Sequence, residues 1–230
     1  MSTLIFTASG HGKHSLTLKL AREFAAGFAE VTGDEPDVID LYKKEVRPCK
    51  RCLACGYKTP GKCAIGDDGN KLLNKIRKAD HVIWAAPLYV FGFPSEMVKM
   101  FDRMMPNIKP DITYDSMGRA THPGIGAENG KHILITSGAF PQIKGNFDGM
   151  LFQVKRLSGE DTAVIACCAS TTMLLGKKDA FRPYIDSYMQ ALHQAGKEYG
   201  SNGKISEETQ KILDQPPMPE KEYVDFVNRK

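Results

Sequence analysis

Long apolar runs are missing from this sequence of 230 residues. A helix that spans a membrane needs about 20 consecutive apolar residues, so we expect no membrane association. A charged leader with a cleavage site is also missing before the first apolar segment, residues 3–7, so the start does not resemble an export signal. We therefore expect a cytoplasmic protein whose cysteines are reduced thiols or ligands rather than structural disulfides.

A large excess of charge of either sign is missing as well. The 31 basic and 27 acidic residues leave a net charge of +4. Proteins that bind nucleic acids concentrate basic residues on one face, and here they are scattered except near the cysteines, so we expect no nucleic-acid partner. The exception is the set Lys43, Lys44, Arg47, Lys50 and Arg51. This set is typical of a solvated loop, and it could also guide an anionic partner.

Five short apolar segments alternate with helical patterns along the chain. The predicted strands are residues 3–7, 37–41, 81–86, 131–136 and 162–168. Their nearly continuous apolar character is typical of parallel strands that are buried on both faces. Alternation of strands and helices indicates right-handed crossovers. The sequence therefore predicts an α/β fold, a flavodoxin-like doubly wound sheet of five parallel strands with helices on both faces.

Helical periodicity and proline positions divide the rest of the chain. The predicted helices follow residue 15 and cover residues 72–76, 95–105, 147–157, 178–199 and 206–213. We expect one domain over residues 1–200, with a cysteine loop at 49–68 and a surface excursion at 106–130 that is rich in Pro, Gly, Asp and Asn. Residues 201–230 are expected to form a helix and an arm, packed on the domain or on a second subunit.

The least regular segments all follow predicted strands, at residues 8–15, 49–68, 87–94 and 137–146. In doubly wound sheets, ligands bind beyond the carboxyl ends of the strands. The first of these loops, residues 9–17, is small and hydroxylated and leads into a helix, as phosphate-binding loops do. The candidate ligands there are Ser9, His11, Lys13, His14, Ser15, Leu16 and Thr17. The spacing matches neither GxxxxGK[ST] nor GxGxxG, and a flexible turn with a serine cap is the alternative.

Two further loops have the composition of a pocket for a flat ring. Such pockets are mostly apolar with a few polar groups, and glycine lets backbone N–H groups come close to a ligand. The candidates are Pro87, Leu88, Tyr89, Val90, Phe91 and Gly92 after the third strand, and Ser137, Gly138, Ala139 and Phe140 after the fourth. The alternative is that Tyr89 and Phe91 only plug the end of the sheet.

Four of the six cysteines lie close together in the spacing C-x2-C-x2-C-x7-C, before the acidic pair Asp67-Asp68. They are Cys49, Cys52, Cys55 and Cys63. Thiolates at this spacing can reach three corners of a 4Fe–4S cluster, with a fourth ligand from the far end of the loop. Zinc fits less well, because Cys63 has no second cysteine at C-x2-C spacing. Reduced or disulfide-prone thiols are the other alternative. The adjacent Cys167 and Cys168 are expected to be core residues.

In combination, residues 9–17, 48–55, 61–63 and 86–92 resemble the NAD(P)H-dependent FMN reductases and flavodoxin-like oxidoreductases, including their iron–sulfur flavoprotein branch. Residues 97–103 and 137–148 match as well. The resemblance implies a noncovalent FMN at the strand ends, NADPH or NADH as co-substrate, and a homodimer. The first loop departs from the family, because Gly10, His11 and Leu16 replace its usual Pro, Arg and Asn.

The resulting expectation is an FMN-dependent oxidoreductase that reduces a quinone, a flavin or another small acceptor. No protein acid or base is assigned, because the flavin carries the chemistry; His11 and His122 are candidates for proton delivery. One alternative is an electron carrier with FMN and a 4Fe–4S cluster, which exchanges electrons with a ferredoxin-like partner. A third hypothesis is a flavin-binding or regulatory module without enzymatic activity.

Overall fold

The protein, seen here as a computed structural model, is described over residues 1–124, 131–175 and 179–229. The strands of its main sheet are β1 (Thr3–Thr7), β2 (Asp37–Asp40), β3 (His81–Pro87), β6 (Lys131–Ser137) and β7 (Ala163–Cys167), while β4 (Thr113–Tyr114) and β5 (Ala120–Thr121) form a separate hairpin. The main sheet has the order β2-β1-β3-β6-β7, and every neighbouring pair is parallel. This confirms the predicted flavodoxin-like sheet.

Helices cover both faces of this sheet. They are α1 (Leu16–Thr32), α2 (Ala54–Tyr57), α3 (Gly69–Lys78), α4 (Ser95–Asp102), α5 (Asp148–Ser158), α6 (Arg182–Asn202), α7 (Glu207–Leu213) and α8 (Glu220–Val227). Successive strand residues point to opposite faces. Ile5 therefore joins one apolar core with Phe24 of α1 and Leu192 of α6. Phe6 joins the other core with Trp84, whose ring centroid lies 5.0 Å away.

Helices α1 and α6 meet through glycines. A β-carbon on Gly196 would lie 1.9 Å from the Phe24 carbonyl oxygen, and one on Gly27 would lie 2.0 Å from the His193 carbonyl oxygen. Neither distance is sterically allowed, so only glycine permits this backbone contact. The contact fixes α1 beside α6, and both helices share one apolar core with the sheet.

Some predicted boundaries are wrong. Helix α4 ends at Asp102 rather than at residue 105, because Arg103 leaves the helix in a turn, with its N–H donating to the Lys99 and Met100 carbonyls at 3.2 Å. Helix α6 begins at Arg182 rather than at residue 178, after a 3-10 turn over Asp179–Phe181. Parts of two predictions, residues 125–130 of the excursion and the helix start at 178, lie outside the described residues. None of the described helices combines the length and the apolar character of a membrane span.

The end of the chain packs on the same sheet that it follows. Leu213 of α7 belongs to the core between α1, α6 and the sheet. Residues 214–229, the C-terminal arm, contain α8 and return to the carboxyl ends of the strands. There Met218 and Tyr223 form a small core with Ala169, which follows β7. In this structure the arm lies against the domain through these residues, while the division of the chain at residue 200 and the assignment of residues 201–230 to a helix and an arm stay predictions.

Candidate functional site

Three loops meet beyond the carboxyl ends of β1, β3 and β6; we call residues 9–17, 87–92 and 137–140 the edge loops. Ser137 connects them. Its Oγ lies 2.5 Å from Thr17 Oγ1 in the first loop, and its carbonyl accepts the Leu88 N–H of the second loop at 2.8 Å. The three loops that contain the predicted residues are therefore brought together, although their residues lie up to 131 positions apart in the numbering.

The first edge loop presents the start of α1. Ser15 caps the helix, and its Oγ accepts the Leu18 N–H at 3.2 Å. The N–H groups of Leu16 and Thr17 meet no acceptor within the described part of the chain. Such first-turn N–H groups form the positive end of the helix dipole. This end of α1 can therefore receive an anionic group.

The other predicted residues of this loop differ in position. Ser9 is buried, and its Oγ is 3.4 Å from the N–H of His11, which is itself exposed. Lys13 and His14 are exposed and line an outer groove beside Leu174. Their assignment as ligands stays a prediction.

The second edge loop reverses the chain in a tight turn. The Tyr89 N–H donates to the Gly92 carbonyl and the Gly92 N–H to the Tyr89 carbonyl, both at 2.9 Å. Between them Val90 and Phe91 have φ of 48° and 61°, a left-handed conformation that is rare for residues other than glycine and especially for β-branched ones. Its cost is about 1–2 kcal/mol per residue. Backbone strain of this kind clusters at ligand sites.

The space beside this turn is open. A β-carbon on Gly92 would have the Tyr89 carbonyl oxygen, at 3.9 Å, as its nearest neighbour. Phe91 stacks on Phe140 of the third loop, with ring centroids 5.4 Å apart and planes inclined by 18°. Both rings remain about half exposed, so they form a wall at the sheet edge rather than a plug inside it.

In the third edge loop, the small size of Gly138 serves internal packing. A β-carbon there would lie 2.8 Å from Phe147 Cζ and 3.1 Å from Leu88 Cδ2. Its N–H donates to the Cys167 carbonyl at 3.0 Å. The N–H groups of the next two residues, Ala139 and Phe140, have no acceptor in the described ranges. These two N–H groups are the donors that the third loop offers to a ligand.

The predicted cysteines lie elsewhere, around a cavity of about 640 Å³ that we call the cysteine cavity. Cys49, Cys52, Cys55 and Cys63 all line it, together with the apolar side chains Phe101, Met105 and Ile108. All four thiols are free. Burial raises the pKa of Cys55, and the neighbouring Cys63 raises that pKa further. His122 also lines this cavity, and its Nδ1 lies 2.8 Å from the Asp111 carbonyl oxygen.

The loop backbone already directs N–H groups at sulfur. The Arg51 N–H donates to Cys49 Sγ at 3.4 Å, and the Ile65 N–H to Cys63 Sγ at 3.5 Å. Arg51 and Leu53 are left-handed, with φ of 48° and 55°, a backbone pattern found around phosphates and iron–sulfur clusters. Within residues 1–124, 131–175 and 179–229, however, no three His, Cys, Asp or Glu side chains are arranged to hold a metal ion. The thiols share a cavity but must move to share a ligand.

A buried ion pair, which the sequence analysis missed, anchors the cysteine loop. Arg103 donates to both oxygens of Asp67, at 2.7 and 2.9 Å, and to the Arg47 carbonyl at 2.8 Å; the Arg103 and Asp67 side chains are fully buried. Burial alone would raise the pKa of Asp67. The Arg103 guanidinium and the N–H groups of Arg47 and Gly69 outweigh burial and lower the pKa to about 2. The only sign of this ion pair in the sequence is a charged residue at the end of an apolar helix.

Arg103 also lies beside the cysteines. Its pKa is raised chiefly by the hydrogen bond to Asp67 and to a smaller extent by Cys63. Its Nε is buried and has no partner among the described residues. Cys167 and Cys168, in contrast, are core residues as expected: both are buried, and burial raises the pKa of Cys167 to about 12.

Sequence comparisons give relatives of one kind. An iron–sulfur flavoprotein of Methanocaldococcus jannaschii is 38% identical over 119 residues, which are 52% of this chain and 60% of the relative. An iron–sulfur flavoprotein of Methanosarcina thermophila is 39% identical over 75 residues, 33% of this chain and 38% of the relative. The chain thus spans less than two thirds of the length of these curated relatives.

Solved structures share the fold. An azoreductase from Bacillus anthracis superposes with a TM-score of 0.63 and 17% identity, over 86% of this chain and all of that chain. An NAD(P)H:quinone oxidoreductase from Methanothermobacter marburgensis superposes with a TM-score of 0.60 and 15% identity, over 86% of this chain and 96% of that chain. At these identities the likeness concerns the fold alone. The family described as flavodoxin-like fold matches residues 1–159, which is more than half of the chain, so the protein belongs to the flavodoxin-like fold family.

Proposed function

We propose that the protein is an FMN-dependent oxidoreductase that takes hydride from NADPH or NADH and reduces a quinone, a flavin or another small acceptor. FMN, when bound, supplies the hydride and electron chemistry. The names of the relatives and of the superposed structures, which are flavoproteins and reductases, support a redox role. A cytoplasmic location and a homodimer are part of the proposal.

The observation that carries it is a set of N–H donors on two joined loops that have no acceptor among the residues the structure describes. Leu16 and Thr17 offer N–H groups at a helix start, and Ala139 and Phe140 offer two more beyond β6. FMN is negatively charged at its phosphate and carries carbonyl oxygens on its ring, so it needs donors at both ends. The residues present therefore fit FMN.

In this proposal the chain itself binds, orients and shields the ligand. The start of α1 and the Ser15 hydroxyl hold the phosphate, because both present hydrogen-bond donors. The Phe91–Phe140 wall covers the ring and excludes water from it. The Ala139 and Phe140 N–H groups donate to the ring oxygens and stabilise negative charge that develops there.

The substitution Gly92→Val tests this site. The new side chain would enter the open space beside the turn, so we expect apoprotein stability to be unchanged and FMN affinity to fall at least about tenfold, because steric overlap costs more than the 1.4 kcal/mol of one decade. Fluorescence titration of FMN measures the affinity. Gly66→Val is the matched control, since a β-carbon there meets nothing within 4 Å and therefore has open space as well, but Gly66 lies in the cysteine loop. Unchanged FMN affinity in Gly92→Val would place the ring elsewhere.

A second candidate is an electron carrier in which the cysteine cavity holds a 4Fe–4S cluster beside FMN and a ferredoxin-like protein is the partner. The shared cavity of the four thiols and the names of the relatives favour it. The backbone N–H groups aimed at Cys49 and Cys63 fit a negatively charged cluster. The exposed Lys50 and Arg51 beside them would attract an acidic carrier.

Iron content separates the two candidates. Protein purified without oxygen should contain about four irons and as many sulfides per chain if the cluster is present, and Cys52→Ser should lose them while it retains FMN. A visible spectrum with flavin bands alone, and no iron, supports the reductase without a cluster. Cys167→Ala serves as the control, because Cys167 lies in the core.

A further inference from the structure

The C-terminal arm reaches the third edge loop through one side chain. Tyr223 of α8 is 3% exposed, and its hydroxyl donates to the Ala139 carbonyl at 2.5 Å. The same hydroxyl oxygen lies 3.1 Å from Thr171 Oγ1 in the segment after β7. A second contact joins the arm to this region, where Gln142 Nε2 donates to Glu220 Oε1.

Three successive carbonyls of the third edge loop are held from this side. The Gly138 carbonyl accepts the Ser170 N–H at 2.9 Å, and the Phe140 carbonyl accepts the Ala169 N–H at 2.7 Å. Tyr223 holds the Ala139 carbonyl between them. Only this middle carbonyl depends on the arm, because the other two are bound by backbone that directly follows β7.

The bound carbonyls determine where the free N–H groups point. In a planar trans peptide the C=O of one residue and the N–H of the next point in opposite directions. When Tyr223 holds the Ala139 carbonyl, the Phe140 N–H must point away from the arm. That N–H is one of the two donors of the loop without an acceptor in the described structure.

We propose that Tyr223 is a positioning residue for the flavin site and that docking of the C-terminal arm and binding of FMN are thermodynamically linked. The inference rests on the proposed function, because it needs FMN at the edge loops. A docked arm presents the Phe140 N–H in a fixed direction, and a ligand oxygen that accepts this N–H favours the docked arm. Linkage of this kind is reciprocal, so each event strengthens the other by the same factor.

The substitution Tyr223→Phe removes the hydroxyl and keeps the ring in its small core. We expect FMN to bind roughly three- to tenfold more weakly, the effect of one hydrogen bond. Tyr184→Phe is the matched control. Tyr184 donates to Glu222 of the same helix α8, at 3.2 Å, so this variant loses a hydrogen bond of the arm that does not involve the loop. Its FMN affinity should stay within a factor of two of the wild type, roughly 0.4 kcal/mol.

Hydrogen exchange of the wild type gives a second readout that needs no variant. On addition of FMN, the amides of α8 should exchange roughly three- to tenfold more slowly, as reciprocity requires. Wild-type protein that does not bind FMN overturns the proposed function and this inference with it. Tight FMN binding with unchanged exchange in α8, or with equal affinity in Tyr223→Phe and wild type, overturns the inference alone. Equal weakening in the two tyrosine variants overturns the role of Tyr223 as a positioning residue, because a general loss of arm docking would then explain the effect.

Discussion

The cysteine loop and the edge loops both follow strands of the main sheet, yet different kinds of contact hold them in place. The cysteine loop is fastened by a buried ion pair, in which Arg103 binds both oxygens of Asp67. The edge loops are fastened by neutral hydrogen bonds, such as Thr17 to Ser137 and Tyr223 to Ala139. Both regions contain left-handed residues other than glycine.

This difference predicts which parts of each region can move. A buried ion pair that loses one partner leaves an uncompensated charge, so it either holds fully or fails at a large cost. A neutral hydrogen bond is worth about 0.5–1.5 kcal/mol, so single contacts at the edge loops can break and re-form as a ligand arrives. We therefore expect the cysteine loop to remain anchored at its base while the less buried thiols of Cys49, Cys52 and Cys55 move, and the edge loops to adjust as a whole.

The largest expected effect is on the anchor of the cysteine loop. Arg103→Met should lower the free energy of unfolding by about 3–5 kcal/mol, because Asp67 is then buried without its partner. Urea denaturation followed by circular dichroism measures the change. The double variant Arg103→Met/Asp67→Leu should regain most of the loss, since a hydrophobic pair can replace a buried ion pair. A loss below about 1 kcal/mol in the single variant, the size of an edge-loop hydrogen bond, would remove the contrast between the two regions.

The sequence predicted the loops but not their anchors. Strand β1 and the start of β6 match the predicted residues, because a run of apolar residues before a glycine-rich loop is a local pattern. The partners in the anchors are distant in sequence: 36 positions separate Asp67 from Arg103, and 84 separate Ala139 from Tyr223. Their pairing depends on how α4 and the C-terminal arm pack, which no local periodicity encodes.

The early end of helix α4 is likewise caused by a contact between residues that are distant in sequence. Periodicity and Pro106 predict a helix to residue 105, but Arg103 turns out of the helix and binds the Arg47 carbonyl and Asp67 in the cysteine loop. A tertiary ion pair thus overrides the local helical preference. The Val90–Phe91 turn was equally hidden, because Asn-Gly or Asp-Gly is the usual signal for such a turn.

Acid should weaken the cysteine loop by a smaller amount. The pKa of Asp67 is lowered from an ordinary 3.8 to about 2 in the folded protein. The stabilisation from this shift is fully present above pH 4 and is lost as the pH falls through about 2, an amount of about 2 kcal/mol. The stability difference between wild type and Asp67→Asn, measured by urea denaturation from pH 6 to pH 2, should shrink by that amount. A difference that stays constant over this range would mean that Asp67 carries no such shift. The edge loops contain no Asp or Glu, so they should not contribute to this change.

The smallest expected effect comes from the left-handed backbone that both regions contain outside glycine. Val90 is 95% exposed with φ 48°, and Leu53 is 46% exposed with φ 55°. Asparagine tolerates this conformation better, so Val90→Asn and Leu53→Asn should each raise the free energy of unfolding by about 1 kcal/mol. Val227→Asn, on the exposed side of helix α8, is the control and should give no gain. Equal gains in the two loops would identify backbone strain as a property of both regions and leave the anchors as their difference. A gain for Val90→Asn alone would mean that the left-handed backbone at Leu53 carries no strain energy. The ion pair of Arg103 and Asp67 would then hold the cysteine loop in this conformation without cost.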